Sequence, residues 1–153
     1  MDQAPILTIT LNPALDISTS AARVVPDVKL RCEAPSFDPG GGGINVSRAI
    51  RAMGGDSTAL VALGGASGQR MADMLKAAGI LLVMLPAPGE TRQSLTADDR
   101  ATRQQYRFVM PGPAWSESDV ERALALAVSA AAEGALVVLS GSNPPGVPPA
   151  FAA

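Results

Sequence analysis

The 153-residue sequence contains no histidine. That absence excludes imidazole metal ligands and imidazole acid–base chemistry. A single cysteine, Cys32, excludes an internal disulfide and fits a reducing compartment such as the cytoplasm. A basic excess is missing too. The net charge is −2 and the pI about 5.0, which excludes a broad nucleic-acid or anionic-membrane surface. Any anionic ligand must therefore be held by a few local Arg or Lys side chains. No apolar run reaches membrane-spanning length; LLVMLP is the size of a core strand. The opening MDQAP lacks the basic start of a secretory signal, so none is expected. Aromatic residues are only 3%, yet 47% hydrophobic and 17% charged is the composition of one globular domain with a sizeable core.

Apolar patterning divides the chain into alternating elements. ILTITL (Ile6–Leu11) reads as a strand stopped by Asn12-Pro13. Residues 16–37 lack helical periodicity and read as short strands of a small separate layer. After the glycine run 40–43, a helix places Val46, Ala49, Ile50 and Met53 on one face and stops at Gly54-Gly55. TALVAL (Thr58–Leu63) is a strand, followed by the loop GGASG. A second helix aligns Met71, Met74, Leu75 and Ala78, and LLVML (Leu81–Leu85) is the next strand. Residues 91–109 read as two strands around a polar turn. Ser116 and Asp119 form a capping box for a third helix, with Val120, Leu124, Ala127, Val128 and Ala131 as its buried stripe. LVVLS (Leu136–Ser140) closes the order as an apolar strand. Strand–helix alternation predicts an α/β fold, a mostly parallel sheet with helices on both faces.

In such a sheet, ligand loops lie at the carboxyl ends of the strands. NPALD, GGASG and SGSNPPG occupy those places or lie close by. DPGGGG instead leads from the small layer into a helix, whose first turn offers N–H groups to an anion or a hydroxyl-rich ligand. Two phosphate-binding patterns fail outright. No GxxxxGK[ST] string occurs, and Val46 stands where GxGxxG needs its last glycine. The spacing from the first strand is also too long for a dinucleotide turn. Asn45, just inside the helix, brings a donor and an acceptor to the same spot.

The motifs TLNPALD, KLRCEAPSF, PGGGGINVSRAI, GGASG, TRQSL, QYRFVMPG and SGSNPPG, in this order, resemble the N-terminal half of PfkB-type carbohydrate kinases of the ribokinase superfamily. The likeness spans essentially the whole chain. TLNPALD resembles the phosphosugar branch, whose members phosphorylate fructose 6-phosphate, fructose 1-phosphate or tagatose 6-phosphate. GGGGIN, KLRC and QYRFVMPG look closest to the minor bacterial 6-phosphofructokinases. The resemblance implies a ribokinase-like sheet with a small β lid inserted as residues 16–37 and 91–109. It implies that Gly41, Gly42, Gly43 and Asn45 line the sugar and that Asp16 accepts hydrogen bonds from its hydroxyls. Arg92 and Ser142 would hold the sugar's phosphate, with Lys29, sometimes supplied across a dimer, and Arg107 as further lid cations. A planar Arg fork suits phosphate oxygens, and a carboxylate suits hydroxyl protons.

Each residue has a plainer alternative. Asp16 could be a turn acid, Arg92 and Arg107 solvated strand charges, Lys29 the guard of an edge strand, and Ser142 a helix cap. Ser94 stands where many relatives have Asn, and Asn143 where Leu is usual. The family's catalytic base lies in a C-terminal GAGD motif, and no GAGD occurs here. No catalytic residue is therefore assigned in this chain, and ATP and Mg2+ are expected to bind mainly through a C-terminal half. The resemblance thus implies half of an ATP-dependent 6-phosphofructokinase, inactive alone, cytoplasmic, and dimeric through the lid. Its partner would be a phosphorylated ketohexose, with neither nucleic acid nor membrane. The alternatives are a 1-phosphofructokinase, a tagatose-6-phosphate kinase, or a non-catalytic sugar-phosphate-binding or assembly module.

Overall fold

The alternation in ILTITL decides which helix covers which face. In the computed structural model, which describes residues 4–152, this segment forms β1 (Ile6–Thr10). Residues 1–3, where the sequence shows no basic leader, and Ala153 lie outside the described residues. Leu7, Ile9 and the following Leu11 enter one core, while Thr8 and Thr10 turn to the opposite face.

Around β1 lies a four-stranded parallel sheet, ordered β5 (Leu81–Pro86), β4 (Thr58–Leu63), β1 and β8 (Leu136–Leu139). Helices α1 (Gly42–Ala52) and α2 (Gly65–Ala77) cover one face and α3 (Glu117–Ala130) the other. β4 shows the same division. Ala59, Val61 and Leu63 pack with Ile44, Met71 and Leu75, whereas Leu60 and Ala62 pack on the α3 side with Trp115 and Ala123. A second four-stranded sheet is ordered β3 (Ser36–Gly40), β2 (Ala14–Ala21), β6 (Arg92–Asp99) and β7 (Gln104–Val109). β2 and β6 run parallel at its centre, and the outer pairs are antiparallel.

Helix α1 does not bury the expected stripe. Met53 is 79% exposed and Ala49 is exposed; the buried residues are Gly43, Ile44 and Ser47. The reason is a polar seam. Ser47 Oγ lies 2.7 Å from Thr8 Oγ1 and accepts from Ser57 Oγ at 2.9 Å. Small residues let the helix sit close on the sheet, and one large side chain, Ile44, fills the contact. Helix α2 follows expectation at Met71 and Leu75, though Ala78 is exposed. The capping box of α3 is formed: Asp119 N–H donates to Ser116 Oγ at 3.3 Å, and Ser116 N–H to Asp119 Oδ2 at 2.8 Å. Its stripe is rotated, with Ala123 fully buried while Leu124 and Val128 are 53% and 69% exposed. They overhang β8, where this sheet ends, so β8 is an edge strand with Leu136 and Val137 open to solvent.

Candidate functional site

The Asn12-Pro13 stop after β1 carries the chain from the large sheet into β2 of the small one. A cleft of about 540 Å³ opens there, lined by Asn12, Arg92, Met110, Gly112, Ser142 and Asn143 among others. Arg92 begins β6, and its neighbours clamp that strand to the start of α2. Buried Thr91 exchanges two hydrogen bonds with Gly64: its N–H donates to the Gly64 carbonyl and its Oγ1 accepts from the Gly64 N–H, both at 2.9 Å. Gln93 Nε2 donates to Ser67 Oγ at 2.9 Å.

From that fixed strand, the guanidinium ties the connection between the two sheets to the segment after β7. Nε and Nη2 donate to the Asn12 carbonyl at 3.3 and 3.2 Å, and Nη1 donates to the Met110 carbonyl at 3.3 Å. Three of its five N–H groups are thus held by main-chain oxygens, and one remains on each terminal nitrogen. Across the cleft, Asn12 Nδ2 donates to Ser142 Oγ at 3.1 Å and lies 3.5 Å from the Asn143 carbonyl. Arg92 and Ser142, 50 residues apart in sequence, therefore line one cleft.

Asp16 sits on the same face of the small sheet. Ala14 pairs with Arg92 and Asp16 with Ser94, so alternate residues put the carboxylate beside the guanidinium row. Ser94 Oγ donates a hydrogen bond to Asp16 Oδ1. Gly40 closes the other side, because a Cβ there would lie 2.1 Å from Asp16 Oδ2. Arg107 shares this face farther along β7, where it pairs with Thr96, but it is exposed and does not line the cleft. Lys29 lies exposed on the loop between β2 and β3, also away from the cleft. Asn45 is exposed in the first turn of α1.

The glycine run is packed against the protein itself. A Cβ at Gly42 would lie 2.4 Å from Ser140 Oγ and 2.6 Å from Gly141 N, and one at Gly43 would lie 2.6 Å from the Ile9 carbonyl. Gly41, at φ 147°, adopts a backbone conformation that side chains disfavour. Nor is the start of α1 an open set of donors. Gly43 N–H donates to the Ser140 carbonyl at 3.1 Å, Ile44 N–H to Thr10 Oγ1 at 3.0 Å and Asn45 N–H to the Gly41 carbonyl at 2.9 Å. GGASG is likewise filled from within. The Glu90 carboxylate accepts from Ala66 N–H at 3.2 Å and Ser67 N–H at 2.7 Å, capping α2. The Ser67 hydrogen bonds hold that carboxyl below the usual range. Of the three loops expected to take ligand, two face the cleft and the third binds its own acid.

The profile of the pfkB family carbohydrate kinases matches residues 7–153. The chain belongs to that family. Among pfkB relatives, it is 49% identical over 142 residues to the ATP-dependent 6-phosphofructokinase isozyme 2 of Mycobacterium tuberculosis, covering 93% of this chain and 42% of the relative. It is 46% identical to the isozyme 2 of Escherichia coli, covering 93% and 46%. The crystal structure of the E. coli phosphofructokinase-2 in complex with fructose-6-phosphate superposes with a TM-score of 0.89 at 41% identity, covering 98% of this chain and 49% of that one. The chain thus spans about half the length of these pfkB kinases.

Sequence reasoning missed Asn12 and Thr10, and marked Ser94 only as a departure from the Asn of many relatives. Each touches a residue it did single out, but only strand register and chain crossing bring them together. Their one visible signal was position inside the quoted motifs TLNPALD and TRQSL.

Proposed function

We propose that this chain supplies the sugar-phosphate half of an ATP-dependent kinase that converts fructose 6-phosphate to fructose 1,6-bisphosphate. One observation carries the reading: Arg92, with an N–H left on each terminal nitrogen, shares a cleft with Ser142, and the Asp16 carboxylate lies on the adjoining sheet face. A guanidinium edge fits phosphate oxygens, and a carboxylate accepts from sugar hydroxyls. The choice of fructose 6-phosphate leans on the 6-phosphofructokinases that are 46% and 49% identical. ATP comes from the same relatives' names, and Mg2+ from the chemistry of phosphoryl transfer, which needs charge neutralised around the nucleotide. Among the described residues no group of three His, Cys, Asp or Glu side chains could hold a metal ion, and none is assigned to Mg2+. Gly41, Gly42, Gly43 and Asn45 border the sugar in this reading.

Two copies associate through the small sheet, and Lys29 and Arg107 serve the partner's cleft or the lid. Exposed Val28, Leu30, Phe108 and Val109 on and beside that sheet support this. No helix among the described residues is long and apolar enough to cross a membrane; cytoplasmic location, with exposed free Cys32, is part of the proposal. Calorimetric titration with fructose 6-phosphate, fructose 1-phosphate, tagatose 6-phosphate and unphosphorylated fructose tests the reading. Preference for the first is expected. Equal binding of unphosphorylated fructose, or no binding of any phosphate ester, would overturn it.

A further inference from the structure

We propose that the Asn12 side chain orders the proton of the Ser142 hydroxyl, so that Ser142 faces the bound phosphate as a donor. The inference rests on the sugar-phosphate reading and makes Asn12 a positioning residue.

The orientation of the Asn12 amide is fixed by its neighbours. One end approaches the Asn143 carbonyl, an acceptor only, and must therefore be the NH2 group. The other end, Oδ1, turns toward Gly112, where an added Cβ would lie 2.3 Å away. With that orientation, Nδ2 donates to Ser142 Oγ at 3.1 Å. A serine hydroxyl has one proton and two lone pairs. Its oxygen is engaged as acceptor by Asn12, so its proton is left for the cleft. A phosphate ester near neutral pH presents only acceptor oxygens for recognition, so a serine beside it is useful when it donates.

Asn12 thereby prepares both ligands of the anion by different parts of one residue. Its carbonyl oxygen holds the Arg92 fork, and its amide nitrogen directs Ser142. The Asn143 carbonyl keeps the amide from flipping, because a swapped amide would put an oxygen against it, and the absence of a Cβ at Gly112 leaves room for Oδ1.

The test is calorimetric titration of fructose 6-phosphate into the 153-residue chain, with thermal melting of every variant beside it. Ser142→Ala removes the donor and weakens binding roughly tenfold or more. Asn12→Ala leaves the hydroxyl free to turn and weakens binding about fivefold. Asn12→Asp keeps the shape but accepts the Ser142 proton and adds a like charge, so it binds more weakly than Asn12→Ala. In the double variant, Asn12→Ala adds less than about twofold to Ser142→Ala, because its effect runs through that hydroxyl. A residue that merely braces the loop would lower affinity equally in both backgrounds. Fully additive losses, or Asn12→Ala binding as tightly as wild type, overturn the inference while leaving the function standing. Wild-type chain that binds no fructose 6-phosphate overturns the function, and this inference with it.

Discussion

Replacing Arg92 by alanine separates the tie it makes to Asn12 and Met110 from the anion-holding task proposed for it. The tie consists of two N–H groups on the half-buried Asn12 carbonyl and one on the exposed Met110 carbonyl. Water takes over readily at Met110. The two bonds to Asn12 then set the loss, about 1–2 kcal/mol at typical net values, or roughly 2–8 °C in melting temperature for a chain of this size. The anion task is larger. A charge-assisted hydrogen bond contributes about 1.5–3 kcal/mol, a roughly ten- to hundredfold loss of fructose 6-phosphate affinity. Arg92→Lys recovers part of this. One ammonium nitrogen cannot reach the Asn12 and Met110 carbonyls and also present two parallel donors to a phosphate. Calorimetry on wild type and both variants gives the affinities, and Trp115 fluorescence offers a parallel signal, since this sole tryptophan packs with Val147 of the cleft wall. A lowered melting temperature with unchanged affinity would show that Arg92 is a strut and that the phosphate lies elsewhere. If neither quantity moves, the guanidinium tie itself is wrong.

Glu90→Gln tests the internal cap of α2. The wild-type carboxyl is held below its unfolded value by the Ser67 hydrogen bonds, so its contribution is present above the unfolded carboxylate pKa of about 4.3 and fades as pH falls through the lower folded value. Melting curves from pH 7 down to 3 should therefore fall less steeply for the variant, and parallel curves would refute the cap. Gly43→Ala places a methyl against the Ile9 carbonyl and should cost about 1–3 kcal/mol or prevent folding, whereas Gly54→Ala meets no neighbour and costs about 1 kcal/mol from its φ of +84°; denaturant titration ranks the two. The 153-residue chain should release no ADP from ATP with any hexose phosphate, and turnover that survives repurification would show that its residues alone complete the chemistry. Sedimentation velocity should show a dimer or larger species, and a clean monomer at high concentration would argue against pairing through the small sheet.

Period and spacing made the α/β order legible, because Leu7, Ile9 and the β4 run alternate or persist as buried strands do. The capping box at Ser116 and Asp119 was legible for the same reason: it is local. Helix faces were less so. Apolar periodicity put Met53 and Val128 inside, whereas the α1 contact is made by Gly43 and Ser47, and Val128 overhangs an edge strand that nothing in its own helix announces. At the candidate site, Arg92 and Ser142 were singled out through motif likeness and line one cleft. Asn12 and Glu90 were not, since their roles depend on partners 130 and 23 residues away, and the Asp16 partner of Ser94 lies 78 residues away. A run of glycines likewise says that something lies close, without saying whether it is ligand or protein.

The packing of Gly40, Gly42 and Gly43 governs how genetic data on this region should be interpreted. Saturation mutagenesis would find nearly every substitution at these positions inactivating, and the pattern would look like a binding footprint. At Gly40 a new side chain strikes the Asp16 carboxylate itself, but at Gly42 and Gly43 the result would report whether the chain folds, because the atoms struck there belong to Ser140, Gly141 and Ile9. Variants recovered there will track abundance rather than substrate preference. Alterations in sugar choice should be sought at Ser94 and Asn45, where a side chain can change without displacing the backbone.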